Sequence, residues 1–125
     1  MAGQRSMDDE RPELNTVQER LGLAMNDAAL LLVALTHSSY VHESAVVGVR
    51  DNQRLEFLGD AVVDTVVAEW LFRRYPAMDE GELTLLRARL VRTNGLARLA
   101  RERGVGEVLR LGRGEAASGG HHRAA

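Results

Sequence analysis

Apolar residues recur along this chain at spacings of three and four positions, which is the pattern of amphipathic helices rather than of strands. Two prolines, Pro12 and Pro76, interrupt it. The pattern predicts an all-α fold with one long helix from near Asn52 to about Arg74, because a residue that precedes proline avoids the α region. Shorter helices are predicted over 14–23, 28–37, 83–93 and 94–104, with loops over 38–50 and 76–82.

The apolar positions of the predicted helices supply the candidate core. They are Leu14, Val17, Leu21, Leu31, Ala34, Leu35, Leu83, Leu86 and Leu90, joined by Trp70 and Phe72 near the end of the long helix. A chain of 125 residues supports one such core, predicted to occupy 14–112. Residues 1–13 are polar and 113–125 are rich in Gly and Ala, so both are predicted to be flexible ends.

Composition narrows the class of protein. The apolar content of 45% and the charged content of 27% are those of a soluble globular protein. Without cysteine there is neither a disulfide framework nor a thiolate metal site. The chain has no apolar run near the roughly 20 residues of a membrane helix and no secretory signal at its start, so a cytoplasmic location is predicted. The net charge of -2 gives no overall basic field, so a polyanion has to meet local cations or bound metal.

Glu56 and Asp60 lie four positions apart in the most apolar segment, so on a helix they project from one face. The apolar residues around them predict a place at the edge of the core, where their repulsion costs free energy. Arg54, an arginine from 83–93 or a hard divalent cation can neutralise the pair, and a solvated acidic face is the plain alternative. Gly59 indicates that another group approaches this helix closely, a packed helix included.

Residues 52–60 read NQRLEFLGD and resemble the ribonuclease III signature NERLEFLGD at every position except Gln53. The resemblance continues through LTHSSYVHE (35–43), EGELTLLRARLV (80–91) and LGRGEAASGG (111–120). It implies an all-helical endonuclease domain, a helical bundle that 14–112 supplies in part and without its last helices.

The resemblance also implies an activity. It is the hydrolysis of phosphodiester bonds in double-stranded RNA, including ribosomal and other structured transcripts, by a homodimer with a Mg²⁺-activated water and with Mn²⁺ as a substitute. Glu56 and Asp60 match the catalytic, metal-binding carboxylates of the family. Glu80 matches a carboxylate near the cleavage site, and Phe57 matches a residue of the dimer interface. Neither a membrane nor a small-molecule cofactor is expected as a partner.

Two other groups have structural alternatives. Arg87, Arg89 and Arg92 form a basic stripe that can face RNA phosphates, and we place Arg87 near the cleavage site. Their alternative is salt bridges to Glu82, Glu69 or Asp79. His37, in LTHSSY, is predicted to have a structural role as a hydrogen-bond partner of a neighbouring serine or of a carboxylate.

One departure from the family bears on activity. In the family, the helix that follows the SGG loop carries an Asp and a Glu three positions apart that complete the metal site, and no such pair follows Glu115 here. We therefore expect weaker cation binding and impaired cleavage from this chain, since small errors of position are costly in catalysis. The alternative is a catalytically inactive module that dimerises or binds RNA.

Overall fold

The computed structural model describes residues 11–44 and 47–120, with the side chains of 11–13, 93 and 94 left outside the description. Regular structure in this part of the chain is helical, apart from one isolated parallel bridge between Thr36 and Arg110. The predicted all-α class is therefore confirmed. The helices are α1 (Arg11–Leu21), α2 (Ala28–Ala34), α3 (Ser38–Glu43), α4 (Gln53–Arg74), α5 (Glu80–Val91), α6 (Thr93–Glu102), α7 (Val105–Val108) and α8 (Arg113–Ala117).

The buried core joins α1 and α2. Leu14, Leu31 and Leu35, all three among the predicted core residues, are buried together there. Partly buried apolar residues surround them: Val17, Met25, Ala28, Leu32, Val105, Val108 and Leu109. Each fully buried leucine contributes about 1.5–3 kcal/mol, so this cluster fixes the first third of the chain against the α7 region.

Helix α3 lies where the sequence analysis expected a loop over 38–50, and that expectation was wrong for Ser38–Glu43. His37 is its N-cap: the ring Nδ1 accepts the backbone N–H of Ser39 at 3.1 Å. A histidine side chain is not among the usual N-cap residues, so the cap signal was not visible in the sequence. The predicted structural role of His37 is confirmed by this bond and by a 2.8 Å contact between Nδ1 and Ser39 Oγ.

Helix α4 confirms the predicted long helix from near Asn52 to Arg74. It ends at Tyr75, whose N–H donates to the carbonyl of Leu71 at 2.9 Å, and Pro76 follows. No helix among the described residues is both long and apolar enough to cross a membrane.

Helix α5 begins at Glu80, three residues before the predicted start at Leu83. The cause is a capping box: Asp79 Oδ1 accepts the N–H of Glu82 at 2.9 Å, and Glu82 Oε2 accepts the N–H of Asp79 at 3.0 Å. Two otherwise unpaired donors are satisfied, so the helix starts inside the predicted loop. The short connection 75–79 and the extensive contact of α4 with α5 make the two an antiparallel hairpin.

The described residues cover only one side of α4. Leu71 is 1% exposed, whereas Trp70 and Phe72 are 54% and 71% exposed, so the predicted core roles of Trp70 and Phe72 were wrong. Consecutive helix residues point about 100° apart, and among the helices α4 contacts α5 most extensively. Residues on the other sides of α4 therefore stay in solvent.

Two helices extend past the predicted domain limits of 14 and 112. Helix α1 begins at Arg11, and α8 occupies Arg113–Ala117 within the end that was expected to be flexible. The carboxylate of Glu43, which the sequence pattern did not connect to this end, accepts N–H groups at the start of α8. Residues 1–10 and 121–125 of the two predicted flexible ends lie outside the described residues.

Candidate metal-binding and nuclease site

The side chains of Glu56 and Asp60 are both exposed on α4, one helical turn apart. The prediction that they lie at the edge of a core was wrong, and their mutual repulsion is screened by water. In the described part of the chain neither carboxylate has an arginine partner, so the Arg54 alternative and that of an arginine from α5 are not observed. Carboxylate oxygens open to water suit Mg²⁺, which keeps several waters and takes one or two carboxylates. The pair therefore fits such a cation.

The start of α4 is fixed by Asn52. Its backbone N–H donates to the carbonyl of Thr36 at 2.9 Å, and its side-chain amide donates to the carbonyl of Ala34 at 3.0 Å. The carbonyl of Asn52 accepts the N–H of Glu56 at 2.8 Å. Because Thr36 is 1% exposed and Oγ1 of Thr36 donates to Leu32 at 2.6 Å, the first turn of the acidic helix is tied to the most buried part of the fold.

Glu80 lies at the other end of the hairpin from the acidic pair. It is the first residue of α5, and its Oε1 accepts the hydroxyl of Thr84 at 3.2 Å. At 1.5 Å per residue, about 27 Å of α4 separates Glu56 from Arg74, the last residue of that helix. Glu80 begins α5 only six residues after Arg74, so it lies near that distant end of α4. Among the described residues no three Asp, Glu or His side chains form a group that could hold a metal ion. Within the described chain Glu80 therefore lies apart from Glu56 and Asp60.

Arg87 is half-buried, while Arg89 and Arg92 are exposed. In the described part of the chain none of the three makes a salt bridge. The acids that were the alternative partners of these arginines bind other groups. Glu69 pairs with Arg73 at 2.7 Å, and Asp79 and Glu82 accept each other's backbone N–H groups in the capping box. The three arginines are thus available to an external anion.

The arginines do not share one face, however. At 100° per residue Arg87 and Arg89 differ by about 200°, so they lie on opposite sides of α5. Arg87 and Glu80, seven positions apart, do share a side and are separated by about 10 Å along the axis. Helix α5 thus carries two of the predicted site residues, Glu80 and Arg87, on one side and Arg89 on the other.

Phe57 is 83% exposed on α4. A row of apolar side chains with a spacing of four continues the exposed surface of the helix and consists of Leu58, Val62, Val66 and Trp70. A Cβ added to Gly59 would meet no atom within 4 Å, so the close approach inferred from this glycine is not made within the described chain. Phe57 and this apolar row therefore have no cover among the described residues.

A family model described as Ribonuclease-III-like matches residues 27–125, a range that contains all the candidate site residues above. The chain belongs to the ribonuclease-III-like family. The resemblance read from NQRLEFLGD is thereby confirmed.

Relatives within this family are identical to the chain at about half of the aligned positions. It is 50% identical to Ribonuclease 3 of Pelotomaculum thermopropionicum over 117 residues, which cover 94% of the chain and 48% of that protein. It is 47% identical to Ribonuclease 3 of Bacillus cereus over 115 residues, or 92% of the chain and 47% of that protein. The chain thus spans about half the length of the curated relatives it matches.

Solved structures of ribonuclease III nuclease domains resemble the fold. One from Campylobacter jejuni, studied for structural flexibility in a region involved in dimer formation, matches with a TM-score of 0.76 and 36% identity over 87% of this chain and 72% of that one. A 2.2 Å crystal structure of the same nuclease domain gives a TM-score of 0.74 over 86% and 69% of the two chains, at 36% identity. At this identity the ribonuclease-III-like fold of the hairpin and its neighbours is secure.

Reasoning from the sequence missed two residues close to the acidic pair on α4. Asp64 is exposed one turn beyond Asp60 and continues the acidic row, and the same four-residue spacing could have identified it. The anchoring role of Asn52 has no such signal, because its partners Thr36 and Ala34 are remote in sequence.

Proposed function

We propose that the chain acts in the metal-dependent hydrolysis of phosphodiester bonds in double-stranded RNA, as the nuclease part of a ribonuclease III. The observation that carries this proposal is the exposed carboxylate pair Glu56 and Asp60, without an arginine partner in the described chain. Membership of the ribonuclease-III-like family and the similarity to proteins named Ribonuclease 3 support it.

In this proposal Glu56 and Asp60 hold Mg²⁺, and Mn²⁺ can substitute for it. A bound divalent cation lowers the pKa of water and stabilises developing charge on phosphoryl oxygens. The two carboxylates position the cation, and the hydrogen bond between Glu56 and Asn52 holds the turn that carries them. Glu80 and Arg87, on one side of α5, contact RNA farther along the hairpin from the acidic pair, with the guanidinium of Arg87 facing a phosphate.

We infer that cleavage by these 125 residues is impaired. Two carboxylates leave most of the coordination of a Mg²⁺ ion to water, and the described residues contain no group of three ligands. A loosely held cation is poorly placed, and an error of about 1 Å can cost ~10²-fold in rate. Mn²⁺, which like Mg²⁺ is suited to carboxylate and water ligands, is expected to support whatever cleavage occurs.

We further propose that the chain forms a homodimer through Phe57 and works in the cytoplasm on double-stranded RNA. An aromatic side chain with 83% exposure, next to an uncovered apolar row, is typical of a protein interface. Phosphate contacts dominate the recognition of duplex RNA, and Arg87 and Arg89 of α5, which form no salt bridge in the described part of the chain, can make them.

A catalytically inactive module that dimerises or binds RNA is the second candidate. The observation in its favour is the same absence of a three-ligand group among the described side chains. Such a module would retain the uses of Phe57 and of the α5 arginines while Glu56 and Asp60 served no reaction.

The two candidates are distinguished by incubating the purified chain with long duplex RNA and Mg²⁺ and separating the products on a gel. The nuclease proposal predicts slow cutting that Glu56→Gln and Asp60→Asn abolish, with RNA binding retained. The matched control is Glu69→Gln, an exposed glutamate on the same helix, which should cut like the parent. Absence of cutting with retained binding would favour the module, and efficient cutting would contradict the inferred impairment.

A further inference from the structure

A polar latch connects α3 to the start of α8. Glu43 Oε2 accepts the backbone N–H of Arg113 at 2.6 Å, and Glu43 Oε1 accepts that of Gly114 at 3.3 Å. The N–H of Gly112 donates to Ser39 Oγ at 2.9 Å. These bonds join residues about seventy positions apart, so the latch closes a long loop that contains α4, α5, α6 and α7.

The latch is closely fitted at Gly112. A Cβ placed there would lie 2.7 Å from the carbonyl oxygen of Ser39 and 2.8 Å from the carboxyl carbon of Glu43. His37 extends it: because Nδ1 accepts the N–H of Ser39, this nitrogen is unprotonated and can also accept the Ser39 hydroxyl proton. The hydroxyl oxygen is then oriented to accept the N–H of Gly112. The proton positions of the three groups are mutually consistent.

The same short stretch of chain anchors the acidic helix. Leu35 accepts the N–H of Arg110 at 2.7 Å, and His37 donates its N–H to the carbonyl of Arg110 at 2.9 Å. Between these two residues, the carbonyl of Thr36 accepts the N–H of Asn52, from which the first turn of α4 continues. Residues 35–43 therefore hold the segment 110–114 and the turn that carries the acidic pair at the same time.

A ring contact strengthens this connection. The guanidinium carbon of Arg110 lies 4.2 Å from the centre of the Tyr40 ring, within the range of a cation–π interaction. Tyr40 follows Ser39 on α3, so one turn of this helix contacts both Arg110, through the Tyr40 ring, and Gly112, through the Ser39 hydroxyl.

We propose that Ser39 and Glu43 are positioning residues, which hold the segment 110–114 in register and thereby keep Asn52 and the first turn of α4 in place. Neither residue contacts the acidic pair. Opening of the latch loosens the bridge between Thr36 and Arg110, and the displaced segment 35–37 then releases Asn52. The consequence for cation binding rests on the proposed function, whereas the structural coupling does not.

Hydrogen exchange of single backbone amides, measured by NMR without added metal, tests the coupling. In Glu43→Ala we expect exchange to rise at Arg113 and Gly114 and also at Asn52 and Glu56, by about twofold to tenfold for the loss of a modest hydrogen bond. Ser39→Ala should raise exchange at Gly112 and at the same two amides of α4. The matched control is Glu102→Ala, which removes an exposed glutamate paired with Arg98 on α6.

Faster exchange confined to 112–114, with Asn52 and Glu56 unchanged, would reduce the latch to a local cap of α8 and overturn the proposal. Equal rises in the control variant would overturn it too. If Glu43→Ala fails to fold, the Glu43→Gln variant is measured in its place, since glutamine has the same side-chain length and keeps one of the two acceptor oxygens. A smaller rise at the same amides of α4 then supports the coupling, and no rise there contradicts it.

Mn²⁺ titration of the same variants separates this inference from the proposed function. If the parent binds Mn²⁺, Glu43→Ala should weaken binding by about twofold or more, because the turn that carries the ligands is less ordered. Unchanged Mn²⁺ affinity would show that the latch does not position the acidic pair. A parent that takes up no Mn²⁺ would refute the proposed function, while the exchange data alone would still decide the coupling.

Discussion

Leu71 and Phe72 are neighbours on α4 with opposite environments: the first is 1% exposed and the second 71% exposed. The difference follows from the single covered side of the helix. We predict that Leu71→Ala lowers the free energy of unfolding by about 2–5 kcal/mol, because it removes buried methyl groups and leaves a cavity. Urea denaturation followed by circular dichroism measures this change.

Phe72→Ala is the matched control, since it removes a larger side chain from the adjacent position. At an exposed site the expected change is within about 0.5 kcal/mol. Equal destabilisation by the two substitutions would mean that the outer side of α4 is covered in solution.

Gly59 and Gly112 are predicted to respond to alanine in opposite ways. A Cβ at Gly59 meets nothing within 4 Å, so Gly59→Ala should stabilise α4 by about 0.5–1 kcal/mol through its higher helix propensity. At Gly112 the same methyl group meets the Ser39 backbone, and Gly112→Ala should destabilise the chain by about 1–3 kcal/mol. Thermal unfolding of the two variants and the parent shows whether each substitution raises or lowers the melting temperature. Destabilisation by Gly59→Ala would indicate that a second molecule lies against that glycine.

The capping box at Asp79 should be a measurable part of the stability of α5. We predict that Asp79→Ala costs about 0.5–2 kcal/mol, because the N–H of Glu82 loses its acceptor. Asp64→Ala serves as the control, since Asp64 is an exposed acid within α4 and caps no helix. Chemical denaturation of the two variants compares them, and similar losses would argue against the capping box.

The sequence alone predicted the helical class, the limits of α4 and the projection of Glu56 and Asp60 from one face of that helix. These features follow from local periodicity and from Pro76. It failed for Trp70 and Phe72, since apolar character does not reveal which side of a helix finds a partner. It also failed for α3 and for Glu43, whose roles depend on a side-chain cap and on contacts to residues about seventy positions away. Long-range polar contacts have no period that a sequence pattern can display.

Phe57 tests the proposed dimer. We predict that the parent chain self-associates and that Phe57→Asp shifts it toward monomer, since a charge at an apolar contact has to be desolvated without a partner. Sedimentation velocity over a range of concentrations measures the shift, with Phe72→Asp as an exposed aromatic control on the same helix. A parent that sediments as a monomer at every concentration would contradict the use of Phe57 as an interface.

The most direct test of the account is calorimetric titration of Mn²⁺ into the chain at neutral pH, compared with the double variant Glu56→Gln and Asp60→Asn. We predict saturable binding to the parent, its loss in the double variant, and its retention in Glu80→Gln, because Glu80 lies at the far end of the hairpin. No binding to the parent, or equal binding to the double variant, would contradict the assignment of Glu56 and Asp60 as cation ligands.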